Sequence, residues 1–459
     1  MNINKVTVKP INGTDADEKL MGTPNNDSIY GWGGSDTLHG GTGNDLLDGG
    51  SDGKASHGIA TLGDFADYKD APKAVIVDLQ VGIAIGGAGN DTLSNIENIW
   101  GSPFADYLMG NNADNKLSGY AGSDIIHSGE GTDSIYGGAG DDYLDGGSVN
   151  YSGYYDTVYY TDSPSEVEVN LQSGTATGGD GNDRLMNIKG VWGSDFNDSI
   201  TGDNNNNMLA GAAGSDSIYG GSGDDILNGG AGDDYIDGGT SILWDSESKA
   251  PGNDIVDYSG SPNAIRVNLK SGTASGEGND ILVDIEGVWG SGNNDLLTGS
   301  ADNNTLQGNA GNDTILGGSG DDSLIAGSGG DYLDGGSGND VLGDSIDWGG
   351  TLIGGSGSDT FQFQVNYSQE ITVTSVIKDF SHKQKDKIDL SLIDNYQYYE
   401  TPPSLKSGGP FSDEFTTPGQ YYFDKTAHVL YGNTDYDSAA DIEINLTGVN
   451  RLLATDIIF

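Results

Sequence analysis

The stretch Gly220-Gly221-Ser222-Gly223-Asp224-Asp225-Ile226-Leu227-Asn228 runs directly into Gly229-Gly230-Ala231-Gly232-Asp233-Asp234-Tyr235-Ile236-Asp237. Both nonapeptides have the pattern Gly-Gly-x-Gly-x-Asp-x-Leu/Ile-x, and copies of it recur in the same register along much of the chain. One glycine-rich copy would mean little, but tandem copies in strict register are hard to produce by chance. The repeat therefore predicts a stacked β-structure in which each copy contributes one turn and one short strand.

The copies form four ladders, which we number 1 to 4, and one isolated copy at Gly354–Gln362. Ladder 1 spans Gly22–Asp48, ladder 2 Gly101–Asp145, ladder 3 Gly193–Asp237 and ladder 4 Gly290–Gly343. The sixth residue of a copy is aspartate or asparagine. The aspartates at position six are Asp27, Asp36, Asp45, Asp106, Asp124, Asp133, Asp142, Asp198, Asp216, Asp225, Asp234, Asp295, Asp313, Asp322, Asp331, Asp340 and Asp359.

The eighth residue of each copy is almost always Leu or Ile, as in Leu108, Leu117 and Ile126. Because side chains alternate between the faces of a strand, this residue points to one face and its two neighbours point to the other. Stacked strands would then bury a narrow column of Leu and Ile, while glycines at positions one, two and four allow a positive φ in the turn. The sequence therefore predicts an all-β fold, a right-handed parallel β-roll or β-helix solenoid in tandem blocks with a C-terminal β-rich cap.

A longer repeat is superimposed on the nonapeptides, because ladders 2 to 4 each follow a similar segment. Each segment contains a predicted strand, then a predicted Gly-Asn-Asp turn, then Trp-Gly-Ser. The strands are 75–79, 167–171 and 265–269, the turns start at Gly89, Gly181 and Gly278, and the tryptophans are Trp100, Trp192 and Trp289. We expect these segments to continue the solenoid. The predicted organisation is a lead-in at 1–21, ladder 1 at 22–48, blocks at 49–145, 146–237 and 238–353, and the cap at 354–459.

The composition, acidic and poor in hydrophobic residues, is that of a chain that does not fold unless its charge is neutralised. Of 459 residues 77 are Gly, only 34% are hydrophobic, and 70 acidic residues face 19 basic ones, which gives a formal charge of −51. Such a chain is expected to be disordered unless cations neutralise it. The charge excludes nucleic acid as a natural partner. No apolar run is long enough for a transmembrane helix, and without cysteine the chain has neither disulfides nor thiolate zinc sites.

The turns of the repeat offer oxygen ligands. They would direct carbonyl oxygens into the gap between successive loops, beside the position-six carboxylate, and Ca²⁺ prefers six to eight such oxygens whereas Mg²⁺ retains its water. We therefore predict multiple Ca²⁺ ions bound by the position-six aspartates, with metal binding coupled to folding. If two copies make one coil, the stacked pairs include Asp124 with Asp142, Asp216 with Asp234, and Asp313 with Asp331.

The second copy of ladders 2 to 4 departs from the pattern, because Asn115, Asn207 or Asn304 stands at position six. One interpretation, which we favour, is that this turn has no calcium site and uses side-chain amide hydrogen bonds instead. The other is a weak site with a neutral ligand.

These features resemble the RTX (repeats-in-toxin) proteins exported by Gram-negative bacteria, and the resemblance covers Gly22 to Phe459. The segment after Gly354 is similar to the C-terminal domain of the serralysin metalloproteases. The similar stretches are 354–361, 379–380, 386–391 and 446–449. The resemblance implies folding on contact with extracellular calcium and export by type I secretion machinery that reads an uncleaved C-terminal signal. Asp456-Ile457-Ile458-Phe459 fits such a signal, and the absence of an apolar N-terminal signal agrees with this route.

The protease activity of serralysins is not expected here. None of His39, His57, His127, His382 and His428 is followed by Glu, so the zinc-binding His-Glu-x-x-His motif is missing. We expect a secreted, extracellular, non-enzymatic protein with a structural or adhesive role at a cell surface or matrix. The alternative is a carbohydrate-binding or polysaccharide-modifying protein of the alginate type, in which the Trp-Gly-Ser segments contact an extracellular polysaccharide.

Overall fold

The computed structural model describes residues 9–51, 63–148, 155–239, 241–242, 249–250, 253–345, 348–364, 374–393, 404–408, 415, 420–433 and 440–459. The chain divides into two compact units, residues 1–225 and 226–459, and the boundary falls inside ladder 3. In the described residues the only helical element is a 3₁₀ turn at Ala454–Asp456. The predicted all-β fold is confirmed.

The described residues of the first unit form 23 strands, most of them three to five residues long. They are β1 (Ile11–Asn12), β2 (Lys19–Met21), β3 (Ser28–Trp32), β4 (Thr37–His39), β5 (Leu46–Gly50), β6 (Phe65–Asp67), β7 (Val75–Asp78), β8 (Ile83–Gly86), β9 (Gly89–Ser94), β10 (Asn98–Trp100), β11 (Tyr107–Met109), β12 (Lys116–Ser118), β13 (Ile125–His127), β14 (Ser134–Tyr136), β15 (Tyr143–Asp145), β16 (Thr157–Tyr159), β17 (Val167–Asn170), β18 (Thr175–Gly178), β19 (Gly181–Met186), β20 (Gly190–Trp192), β21 (Ser199–Thr201), β22 (Met208–Ala210) and β23 (Ser217–Gly221).

Successive nonapeptides contribute alternately to two sheets of this unit. Sheet 1 has the order β1-β3-β5-β9-β8-β7-β11-β13-β15-β19-β18-β17-β21-β23. Sheet 2 has the order β2-β4-β6-β10-β12-β14-β16-β20-β22, and all of its pairs are parallel. A strand therefore pairs with the strand two copies further on, as the coil of two nonapeptides predicts.

The core of the solenoid is the column of position-eight side chains. Leu108, Ile126 and Leu144 lie in register on adjacent strands of sheet 1, and Leu117 and Ile135 do so in sheet 2. All five are at most 1% exposed. The predicted aliphatic column is confirmed, and its narrowness follows from a repeat that supplies one apolar side chain per turn.

The segment before ladder 2 continues the stack, as predicted, but by a route that the sequence did not indicate. Strand β9 pairs parallel with β5, β8 pairs antiparallel with both β9 and β7, and β7 pairs parallel with β11. The same antiparallel triplet recurs as β17, β18 and β19. The predicted Gly-Asn-Asp turn is wrong, because the turn lies at Gly87-Ala88, between two glycines with φ of 131°, and Gly89-Asn90-Asp91 opens strand β9.

The second unit repeats this architecture and ends in the predicted cap. Its strands are β24 (Ile226–Asn228), β25 (Tyr235–Gly239), β26 (Ser241–Ile242), β27 (Lys249–Ala250), β28 (Ile255–Asp257), β29 (Arg266–Asn268), β30 (Thr273–Ser275), β31 (Asn279–Val283), β32 (Gly287–Trp289), β33 (Leu296–Thr298), β34 (Thr305–Gln307), β35 (Thr314–Ser319), β36 (Ser323–Ile325), β37 (Tyr332–Ser337), β38 (Val341–Ser345), β39 (Thr351–Ser356), β40 (Thr360–Gln364), β41 (Ser375–Ile377), β42 (Lys387–Leu392), β43 (Ser404–Gly408), β44 (Gln420–Asp424), β45 (Val429–Asn433), β46 (Ile442–Leu446) and β47 (Ile457–Ile458).

Two stacks again run through this unit. Sheet 3 has the order β25-β31-β30-β29-β33-β35-β37-β39-β41-β46-β45-β44-β43, and sheet 4 the order β24-β28-β32-β34-β36-β38-β40-β42-β47. The cap thus extends both sheets and adds antiparallel pairs at the end of sheet 3. Among the described residues, no helix is long and apolar enough to cross a membrane.

Candidate calcium sites

The position-six aspartates form ladders of their own inside the turns. The Oδ1 of Asp124 accepts a hydrogen bond from the backbone N–H of Asp106 (2.6 Å), and the Oδ1 of Asp142 accepts one from the N–H of Asp124 (2.8 Å). Asp331 accepts the same bond from Asp313 at 2.8 Å. Each carboxylate is therefore held in place by the loop eighteen residues earlier, as predicted for Asp124 with Asp142 and Asp313 with Asp331. The third predicted pair spans the two units, since Asp216 lies in the first and Asp234 in the second.

The second oxygen of many of these carboxylates has no protein partner. In the described part of the chain, Oδ2 lacks a hydrogen bond in Asp45, Asp124, Asp142, Asp313, Asp322, Asp331, Asp340 and Asp359. These side chains are all at most 3% exposed. A buried ionised carboxylate is costly unless it is paired or coordinates a metal. The unpartnered oxygens therefore point to a cation ligand in each turn.

In seven of these eight copies the glycine at position one leaves room beside the oxygen, whereas the copy of Asp331 has Ala326 at position one. A Cβ placed on Gly317 would lie 2.5 Å from Asp322 Oδ2 and 2.6 Å from the carbonyl oxygen of Gly335. The space that the absent side chain leaves is thus bounded by a carboxylate and by a carbonyl of the next coil. These distances are similar to Ca²⁺–oxygen bonds of about 2.3–2.6 Å. The residues present fit a calcium ion, and its other ligands would be backbone carbonyls.

The electrostatics of the turns also favour a cation. Burial, and secondarily the charges of neighbouring aspartates, raises the pKa of Asp124 to about 8. Burial likewise raises the pKa of Asp142, Asp313 and Asp340 to about 7. Near neutral pH these groups would hold protons unless a positive ion replaces them, so calcium and protons compete for the same oxygens.

Carboxylates alone do not make these sites. Within the described residues, no group of three or more His, Asp and Glu side chains could hold a metal ion. One carboxylate per loop is what the nonapeptide spacing supplies, so carbonyl oxygens must complete the coordination. Mixed sets of this kind suit Ca²⁺ rather than a transition metal.

The first aspartate of each ladder has a different environment, because position two is Ser or Thr instead of Gly. Ser102 donates its backbone N–H to Asp106 Oδ2 (2.5 Å) and its hydroxyl to Asp106 Oδ1 (2.7 Å). Ser194 and Ser291 make the corresponding bonds to Asp198 and Asp295, whereas Thr23 donates both its N–H and its hydroxyl to Asp27 Oδ2. We predicted these four aspartates as ligands. The protein itself provides hydrogen-bond donors to their carboxylates, so they have less need of a cation than the aspartates within the ladders.

The asparagine turns show the amide hydrogen bonds that we favoured. Asn115 accepts the N–H of Asn111 at its amide oxygen (2.8 Å) and donates Nδ2 to the carbonyl of Glu97 (2.7 Å). Asn207 and Asn304 make the equivalent donor bonds to the carbonyls of residues 189 and 286.

Some aspartates of the inter-ladder segments continue the columns of position-six aspartates, and these were not predicted from the sequence. Asp91 and Asp183 accept the N–H of Asp45 and Asp142, and their second oxygens accept the phenol hydroxyls of Tyr68 (3.1 Å) and Tyr160 (3.0 Å). In the second unit, Tyr258 bonds to Asp280 in the same way at 2.6 Å. A buried tyrosine thus takes the place that a cation would have.

Two further aspartates that were not predicted from the sequence, Asp64 and Asp156, stand directly before strands β6 and β16. Asp64 and Asp156 accept the N–H of Asp36 (2.7 Å) and Asp133 (2.9 Å), and Asp156 Oδ2 has no partner among the described residues. The signal was present in the sequence, since Asp64-Phe65-Ala66 and Asp156-Thr157-Val158 end like a nonapeptide, with an apolar residue two positions after Asp. Without the glycines before them, they were not identified as copies.

The RTX calcium-binding nonapeptide repeat is the family whose model matches this chain. The matched residues are 12–51, 83–94, 100–135, 123–151, 191–218, 211–240, 289–324 and 308–342. No curated protein matches the chain. Among solved structures, the crystal structure of the extracellular lipase LipA from Serratia marcescens aligns with 59% of this chain and 39% of the lipase chain, at 17% identity and a TM-score of 0.16. Ladders 1 to 4 therefore belong to the family of RTX calcium-binding nonapeptide repeats.

Proposed function

We propose that this is a secreted calcium-binding β-roll protein that folds when it meets extracellular calcium. The observation that carries the proposal is the row of buried Oδ2 atoms without a protein partner, such as those of Asp124 and Asp313. Without an ion, each of these turns holds a carboxylate that opposes folding. With an ion, the same turn links two coils through carboxylate and carbonyl oxygens.

The proposed calcium dependence suits export. At submicromolar cytoplasmic calcium the chain stays extended and self-repelling, with a formal charge of −51. Extracellular sites with dissociation constants of about 10⁻⁴–10⁻³ M fill outside the cell. The test is far-UV circular dichroism of the purified chain in EGTA, then with added Ca²⁺ or Mg²⁺. We expect a cooperative gain of β-structure with Ca²⁺ and far less with Mg²⁺, and a spectrum that ignores calcium would overturn the proposal.

We propose type I secretion as the route, with the C-terminal tetrapeptide as part of the signal. In the folded chain Asp456 and Ile457 are buried, Asp456 lies 3.0 Å from His382, and β47 pairs with β42, so this half of the tetrapeptide is accessible only before the roll folds. Deleting Asp456–Phe459 should retain the protein in the cytoplasm. The truncated chain must still gain β-structure with calcium in vitro, which separates a lost signal from a lost fold. Normal secretion of the truncated chain would refute this route.

The role we propose outside the cell is structural or adhesive and non-enzymatic. A roll whose coils are linked to one another by ions is a rigid scaffold, and its exposed acidic turns favour contact with a matrix through shared divalent ions. A calcium-dependent cell or matrix attachment assay tests this. Attachment that persists in EGTA would contradict it.

One observation favours the alternative, a carbohydrate-binding function. On the outer face of sheet 2, the rings of Tyr136 and Tyr159 stack at 4.7 Å and those of Tyr159 and Trp192 at 6.0 Å. Trp192 ends this stack and is 41% exposed, because the small Ala210 follows it in register. An uncovered indole face at the end of a stack suits a sugar ring.

A glycan array distinguishes the two functions. Calcium-dependent binding that is lost in Trp192→Ala supports carbohydrate recognition. Trp100→Ala is the matched control, because Phe65 and Lys69 already cover the Trp100 ring. Equal binding by the two variants, or none by the wild type, argues for the structural role.

A further inference from the structure

One turn of the cap has the opposite charge to the turns of the ladders. Residues 378–387, between β41 and β42, contain four of the 19 basic residues of the chain. Lys387 lies in register with Thr360, so Asp386 stands at position six of a turn that stacks on the preceding copy. Position five is Asn, Asp or Ser in most copies, but here it is Lys385. Lysine therefore stands where the other turns carry polar or acidic residues.

This turn is fixed against the chain that precedes β47. The ring of His382 contacts the carbonyl oxygen of Arg451 through Nε2 (2.6 Å) and the carboxylate of Asp456 through Nδ1 (3.0 Å). Lys387 donates its Nζ to the carbonyl oxygen of Thr455. Two segments that are distant in the sequence thus form one surface, to which both contribute basic side chains.

The carboxylates of the turn are engaged by the protein itself. Both oxygens of Asp379 accept backbone N–H groups, one from Gly354 (3.0 Å) and one from Gly355 (2.7 Å). Asp386 is 2% exposed and accepts the N–H of Ser381 at 2.7 Å. The acidic groups of this turn therefore serve the internal hydrogen bonding of the cap.

The cations of the same surface face solvent. Lys383, Lys385 and Arg451 are exposed and Lys387 is half-buried, and we call these four residues the basic patch. None of them forms an ion pair with a carboxylate of the described residues. Cations that served to neutralise the neighbouring aspartates would be paired with them. The basic patch is thus available to an anion from outside the chain.

The surroundings of the basic patch favour a thin, flexible polyanion. Lysine is a compact charge on a long stem, so lysines on an open surface suit repeated anionic groups better than one enclosed ligand. The net charge of −51 repels a large acidic partner, whereas the attraction of a patch extends only about 8 Å at physiological ionic strength. A linear polymer can reach the patch without approaching the acidic turns. A second copy of this chain or an anionic lipid surface would bring many more like charges close to them.

We propose that the basic patch of the cap binds an anionic polysaccharide, whose carboxylate or sulfate groups pair with the side chains of Lys383, Lys385, Lys387 and Arg451. This binding rests on the adhesive role proposed above and names the chemistry of the matrix that the protein contacts. The cap makes the contact directly through its own cations, and the roll serves as the scaffold behind it.

The test is binding of the calcium-folded chain to immobilised heparin, measured by surface plasmon resonance in saturating calcium at several NaCl concentrations. Lys383→Glu combined with Lys385→Glu reverses two charges of the basic patch, and we expect its affinity to fall by about tenfold or more. Lys73→Glu combined with Lys270→Glu is the matched control, because both side chains are exposed, lie outside the cap and change the net charge equally. The control should keep the wild-type affinity. Equal losses in the two double variants, or a folded wild type that does not bind heparin, overturn the inference.

Further measurements separate misfolding and other partners from the proposed binding. If Lys383→Glu with Lys385→Glu loses its calcium-induced circular dichroism, Lys383→Gln with Lys385→Gln decides, since it adds no acidic group; unchanged heparin binding by this variant overturns the inference. Binding to phosphatidylglycerol vesicles without binding to heparin identifies a lipid surface instead. A dimer in analytical ultracentrifugation that the reversal variant loses, again without heparin binding, identifies a second copy, and either result overturns the inference. A wild type that gains no β-structure with calcium refutes the proposed function.

Discussion

Replacing Asp124 with asparagine should lower the free energy of unfolding of the roll when calcium is bound and raise it when calcium is absent. In the wild type the backbone nitrogen of Asp106 lies 2.6 Å from Asp124 Oδ1. The amide oxygen of the new side chain can accept the same hydrogen bond. The variant loses the charge on Oδ2, which has no protein partner in the described residues. The substitution therefore keeps the hydrogen-bonded ladder and removes only the proposed metal ligand.

The magnitudes follow from the pKa of this carboxyl, which burial raises from 3.8 to about 8. At pH 7 without calcium, Asp124 must gain a proton on folding, and the roughly three pH units between 3.8 and 7 cost about 4 kcal/mol. Asparagine avoids that cost, so it should stabilise the calcium-free roll by up to about 4 kcal/mol. With calcium at 100 times its dissociation constant, losing one ion should lower the free energy of unfolding by about 2.7 kcal/mol.

The assay compares urea unfolding at saturating calcium with the acid-induced gain of circular dichroism in EGTA. In Asp124→Asn, unfolding at saturating calcium should occur at a lower urea concentration. The acid-induced gain of circular dichroism in EGTA should occur at a higher pH, and calorimetry should count one bound ion fewer. Asp106→Asn is the matched control, because Ser102 already donates to both oxygens of Asp106, and it should keep the wild-type ion count. Equal destabilisation of Asp124→Asn in both conditions would show a packing role and refute the reasoning.

Three further outcomes are expected. In EGTA, lowering the pH from 8 to 5 should increase β-structure, because the buried carboxyls have a folded pKa raised to about 6 to 8 and their stabilisation is lost as pH rises through those values; a circular dichroism titration that is flat or of opposite sign would contradict this. Gly317→Ala should remove one ion in calorimetry, since its Cβ would meet Asp322 Oδ2 and the carbonyl of Gly335, whereas Gly260→Ala, with nothing within 4 Å, should remove none. Tyr258→Phe should lower the free energy of unfolding by about 1–3 kcal/mol, because it leaves a buried carboxylate oxygen without its donor; an unchanged urea midpoint would exclude that role.

The repeat spacing was sufficient to predict the stacking of coils. An aliphatic side chain recurs every nine residues, and a period of two copies per coil places Ile126 directly between Leu108 and Leu144. Local periodicity determines such contacts because neighbouring coils are the only partners a solenoid strand has. The same reasoning placed the position-six aspartates in columns.

The hairpin triplets could not be predicted in this way. Strand β8 pairs antiparallel with β7 and β9, which in turn pair parallel with β11 and β5, so the place of β8 depends on pairings that the local sequence does not specify. The tyrosine partners of the aspartates were missed for the same reason, whereas the serine partners lie only four residues before their aspartates. Tyr160 and Asp183 lie 23 residues apart, outside the nonapeptide register.

The amino-acid sequence by itself determined the all-β solenoid, its core column, the acidic turns and the kind of ion that such turns attract, because each of these follows from a nine-residue period and from the chemistry of Gly, Asp and Leu. Only the tertiary structure decided which carboxylates lack a protein donor and which are satisfied by Ser102, Tyr160 or a neighbouring amide. For the tyrosine and the amide, that difference depends on groups brought together from separate coils, with partners outside the nonapeptide copies. For Ser102 it depends on the orientation that the folded turn gives to a side chain four residues before Asp106.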